Sequence, residues 1–96
     1  MSGTMNKIVK FRDFLRGRLD PDILLDCLLS NAVLSKEEVD EVKSRSTIWR
    51  KNERLLDQII EQDDEEEFVN ALRTTNQQHL ANYIIYDGGK FNTTSK

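Results

Sequence analysis

The chain has little of what catalytic or cross-linked domains rely on. Its 96 residues include one cysteine, one histidine, one proline, one tryptophan and four glycines. A single cysteine excludes an internal disulfide. With only one histidine beside it, no zinc ligand set and no Cys–His pair are expected. Cys27 sits among Leu24, Leu25 and Leu28 and is expected to be an inert core thiol. His79 falls near the start of a predicted helix, where a surface or structural role is expected. The acidic run Asp63–Glu67 lacks the alternating ligands and the glycine of a calcium loop. No catalytic residue, metal or cofactor is therefore assigned. There is no signal-peptide pattern and no apolar run of about 18 residues, so a reducing, cytoplasmic setting is the expectation.

Strand-like alternation of β-branched and aromatic residues is also missing, and with glycine and proline scarce an all-α fold is predicted. Hydrophobic residues make up 38% and charged residues 32%, a balance that suits one small helical bundle with a charged exterior. Ile8, Phe11, Leu15 and Leu19 form one stripe of a first helix over about 6–19, with a bend or early end near Gly17. Asp20–Pro21 reads as an N-cap followed by proline at the first helical position. Between Ile23 and Leu29 only Asp26 is polar, which predicts a buried central helix ended by a left-handed Asn31. Ser35 and Glu38 form a capping box for a short third helix. Ser46 or Thr47 caps a fourth that runs to about Gln62, with Asn52 inside its apolar arc and no evident partner. The acids at 63–67 open a fifth helix, Asn76 ends it, and a sixth spans about Gln77–Tyr86.

VLSKEEVDEVKS at 33–44, KNERLLDQI at 51–59 and above all ALRTTNQQHLANYI at 71–84 resemble the caspase recruitment domain. Ala71, Leu72, Arg73, Thr75, Gln77, His79, Leu80 and Ala81 match its ALRETGQEHLA pattern, with Asn76 where glycine is usual. The resemblance covers Lys7 to Tyr86. It implies a death-fold bundle of six antiparallel helices in Greek-key order. It also implies a module that binds another copy of the same fold in a caspase, adaptor or sensor of apoptosis or innate immunity. The domain is expected over 6–86, after a disordered lead-in at 1–5 and before a flexible tail at 87–96.

Charge runs in blocks of one sign. Residues 1–19 hold five Lys/Arg against one acid, and residues 20–41 hold seven acids against one base. Residues 43–54 return to five bases against one acid, and 57–67 hold seven acids and no base. If the first and fourth helices lie side by side, as the resemblance implies, Arg12, Arg16, Arg50, Lys51 and Arg54 share a basic face. Asp22, Asp26, Glu37, Glu38, Asp40 and Glu41 of the second and third helices form its acidic counterpart. Helix-end electrostatics accounts for Glu37, Glu38 and Lys43 but not for Arg12, Arg16, Arg50 or Arg54. A repeated contact between such faces builds open helical assemblies. Trp49 admits two readings, a cover on the core edge beside Leu56 and Ile60 or, with Ile48, an exposed aromatic anchor. The competing functional class is a helical nucleic-acid binder on the basic face, against which stand the interleaved acids and the absence of aromatic–basic stacking. A death-effector or pyrin-type module is the alternative within the superfamily. Neither membrane nor small-molecule substrate is expected.

Overall fold

A computed structural model of the chain describes residues 3–86, with side chains from residue 7 onward. Seven helices and no strand occur among the described residues: α1 (Gly3–Lys10), α2 (Arg12–Arg16), α3 (Pro21–Ser30), α4 (Lys36–Lys43), α5 (Ile48–Gln62), α6 (Glu65–Thr74) and α7 (Gln78–Ile85). They form the expected all-helical bundle, with the first of the six helices in two pieces. The break falls at Phe11 (φ −101°, ψ 16°), while Gly17 marks the early end of α2. Phe14 stacks on Tyr83 of α7 with ring centroids 3.8 Å apart, and Phe11 meets the same ring edge-on at 5.0 Å. Residues three apart share one helix face, so these contacts tie both pieces to α7. The lead-in expected at 1–5 overlaps α1, which starts at Gly3. Residues 1, 2 and the tail expected at 87–96 lie outside the described residues.

Burial reverses the expected centre of the bundle. In α3 only Leu24, Leu25 and Leu28 join Pro21 in the interior, while Ile23 and Leu29 are 50% and 39% exposed. The hub is α5, which packs against α1, α2, α3, α4 and α6 and buries Leu55, Leu56 and Ile59. Its length favours this: 15 residues at about 1.5 Å rise make the longest helix among the described residues, and α3 has ten.

Local signals fix most helix starts. The Ser35 Oγ accepts the Glu38 N–H at 3.1 Å and Glu38 Oε1 accepts the Ser35 N–H at 2.8 Å, closing the capping box. Thr47, rather than Ser46, caps α5 by accepting the Arg50 N–H at 3.1 Å. Asp20 precedes Pro21 as expected but makes no side-chain cap bond. Instead its N–H donates to Gln77 Oε1 at 2.9 Å, and Gln77 Nε2 donates to Thr75 Oγ1 at 3.0 Å. That buried amide pins the start of α3 to the α6–α7 turn. Between the first and last helices, Lys7 Nζ donates to the Ile85 carbonyl at 3.2 Å.

Three turns after helices use left-handed residues other than glycine. Ala32, Asp63 and Asn76 adopt φ of 61°, 58° and 67°. Asn76 is left-handed as the sequence predicts; Asn31 is not, with φ −91°. The helix runs one residue further, and Ala32 makes the turn that lets Val33 N–H reach Leu28 O at 2.9 Å. An alanine there bears a steric cost that glycine lacks, so Ala32→Gly is expected to stabilise the fold by about 1 kcal/mol. Its melting temperature should rise by about 4–8 °C by circular dichroism. Gly17 is the converse case: its φ of −94° suits any residue and a Cβ would meet nothing within 4 Å. Gly17→Ala should therefore also stabilise, by about 0.4–1 kcal/mol.

Candidate interaction surface

The site is built on the seam between α2 and α5. Asn52, the residue left unexplained inside the apolar arc of α5, is wholly buried and holds that seam. Its Nδ2 donates to the Arg16 carbonyl at 2.8 Å and to the Leu19 carbonyl at 3.0 Å, so two orphan acceptors at the end of α2 are satisfied from the neighbouring helix. This sets the first and fourth helices of the bundle side by side, as the resemblance implies. Gln58, two turns further along α5, donates in the same way to the Glu38 carbonyl of α4 at 3.1 Å.

The seam brings the predicted arginines together and gives most of them partners. Arg12 pairs with Asp57 and lies 3.9 Å from Glu53. Arg16 lies 3.4 Å from Glu53 and 2.5 Å from Asp13, and its guanidinium covers the Trp49 ring at 4.2 Å. Arg54 donates through Nε and Nη2 to the two carboxylate oxygens of Glu41, at 3.1 and 3.3 Å, with Glu61 at 3.8 Å. That hydrogen bond raises the Arg54 pKa above the usual guanidinium value, partial burial works against it, and the charges of Glu41, Glu61 and Asp57 add to the rise. A raised cation stabilises the fold below its unfolded pKa, so this contribution is constant across all ordinary pH. Arg45 also reaches Glu41, at 3.5 Å. Arg50 and Lys51 have no ion pair among the described residues. A cleft of about 160 Å³ is lined by Arg45, Arg50, Glu53, Arg54 and Asp57.

Two expectations change. The acidic and basic faces are not separate: α4 packs on α5, so Glu41 of the acidic set is the main partner of Arg54 of the basic set. Glu53 and Asp57, one turn apart on α5, place carboxylates inside the basic face itself. Counting charge by blocks hid both, because the helical period and not sequence proximity decides which residues meet. Of the other predicted acids, Asp26 lies 3.9 Å from Lys43, and Asp40 lies 3.7 Å from Lys36. Glu38 serves the cap and accepts from Gln62 at 2.8 Å. Asp22 and Glu37 are exposed with no ion pair among the described residues. Ile48 and Trp49 are 61% and 47% exposed at the start of α5, so the tryptophan is no lid on the core.

A family model, the caspase recruitment domain, matches residues 6–85. The chain is a caspase recruitment domain. No curated protein and no solved structure matches it. The family assignment excludes the death-effector and pyrin-type alternatives and makes the domain a homotypic protein–protein interaction module, a member of the death fold. Asn52 is the test of how its surface is set. Asn52→Ala removes both donors from buried carbonyls and should cost about 1–3 kcal/mol, read as a lower denaturation midpoint in urea.

Proposed function

We propose that this caspase recruitment domain recruits a second domain of its own family through an asymmetric charged contact. The partner is a caspase prodomain, an adaptor, a sensor or another copy of the chain, in apoptotic or innate-immune signalling in the cytoplasm. The donor side is the start of α5, where Arg50 and Lys51 flank the Arg16–Trp49 stack, with Arg12 and Arg54 beside them. The acceptor side is the α3–α4 surface, where Asp22 and Glu37 carry uncompensated charge beside Asp26, Glu38, Asp40 and Glu41. The observation that carries this reading is the placement of the unpaired charges. After internal pairing, Arg50 and Lys51 on α5 and Asp22 and Glu37 on α3 and α4 are left without an ion pair among the described residues. Arg18, Arg73, Asp20, Asp63, Asp64, Glu66 and Glu67 are left so too, elsewhere in the chain. A contact between unlike patches repeats without closing and supports helical oligomers.

Magnitudes shape the mechanism. An exposed ion pair contributes about 0.2–1 kcal/mol, so one contact of this kind is weak and salt-sensitive. Half-exposed Ile48 and Trp49 add apolar area at its centre, and repetition along an assembly supplies avidity. A phosphate-tracking role is disfavoured, because carboxylates already occupy Arg12, Arg16 and Arg54.

Arg50→Glu is expected to abolish self-assembly and capture of a partner domain, with the melting temperature within a few degrees of native. Assembly read by light scattering that survives this reversal would overturn the reading. Trp49, the one tryptophan, gives a second readout. Its fluorescence should be quenched freely by acrylamide in the monomer and shielded in the assembled state.

A further inference from the structure

We propose that Glu53 is an internal competitor for the partner's carboxylates, a brake on assembly set into α5. The inference rests on the docking reading above and adds its regulation. One oxygen of Glu53 lies 3.4 Å from Arg16 and 3.9 Å from Arg12. Asp57, one turn later, pairs with the same Nη2 of Arg12. Both carboxylates also line the cleft formed with Arg45, Arg50 and Arg54. Two acids thus stand among five guanidinium groups on the surface that a partner's acids must approach.

Neither acid is placed there by helix electrostatics. Glu53 is the sixth residue of α5 and Asp57 the tenth of 15, and an acid in the second half of a helix opposes its dipole. Their pairs with Arg12 and Arg16 cross the α2–α5 seam, which Asn52 also closes through backbone carbonyls. Their effect is on the arginines. Arg12 and Arg16 are held in internal pairs with side chains only 27% and 20% exposed. An incoming carboxylate gains from either arginine only by sharing it with Glu53 or displacing it. The threshold for assembly is therefore higher than the number of basic residues implies.

Neutralising one carboxylate without changing its shape isolates this effect. Glu53→Gln in the full chain should lower the concentration for half-assembly about two- to five-fold, the worth of one exposed ion pair. It should also make assembly fall more steeply as salt is added, because two further arginines engage the partner. Glu37→Gln removes the same charge from the acceptor side and should move assembly the other way. Light scattering across protein and salt concentration reads all three chains. Assembly of Glu53→Gln at or above the native half-point overturns the brake, as does a shift of both variants in the same direction, which marks a general effect of net charge. Aggregation that grows with salt marks a loosened fold and overturns it too. Asp57→Asn, which removes the nearer carboxylate from Arg12, repeats the test should the first variant fold poorly. The docking reading fails separately: native-like assembly of Arg50→Glu ends it, whereas loss there with a native-like Glu53→Gln ends the brake only.

Discussion

The buried amide of Asn52 is the constraint on which the rest of this domain depends. A helix that ends beside another leaves carbonyls without partners, and in a dry seam such acceptors are expensive. One side chain on α5 answers two of them at the end of α2. Because the bonds go to backbone, they fix the depth and register of α2 and not merely its proximity. Everything on the outer side of the seam inherits that register. Arg12 and Arg16 come over Glu53 and Asp57, and Trp49 comes under Arg16, because the helix axes can be nowhere else.

That register gives the surface its character. A row of arginines on a small acidic protein would ordinarily be a strong field. Here it is a mosaic in which most cations are matched within the chain and a few charges of each sign are left over. Such a surface discriminates by geometry more than by sign, since only a partner that reaches the leftover groups while tolerating the matched ones gains anything.

Much of the architecture was legible in the sequence because it is locally encoded. The Ser35–Glu38 box, the Thr47 cap, the end of α5 near Gln62 and the left-handed Asn76 are each specified within about four residues. The apolar period then places Leu55, Leu56 and Ile59 inward. What escaped is what depends on the neighbouring helix. Tyr83, the ring that Phe11 and Phe14 both meet, is 72 and 69 residues away from them. The half-exposed Ile23 shows that an apolar run does not say how many sides will be covered. Asn31 was the better left-handed residue by propensity, yet Ala32 takes the turn because Val33 must reach Leu28. The candidate surface followed the same rule. Its arginines could be named, but their counter-ions could not, since Glu41 and Asp57 meet Arg54 and Arg12 only once α4, α5 and α2 are packed.

The hydrogen bond from Lys7 to the Ile85 carbonyl joins the first helix to the last. The chain therefore enters and leaves the bundle at one corner. Sequence fused before α1 or after α7 hangs from that single point, like a tag on a bead. If copies stack as proposed, such attachments share one side of the row, and whatever they carry reaches high local density there.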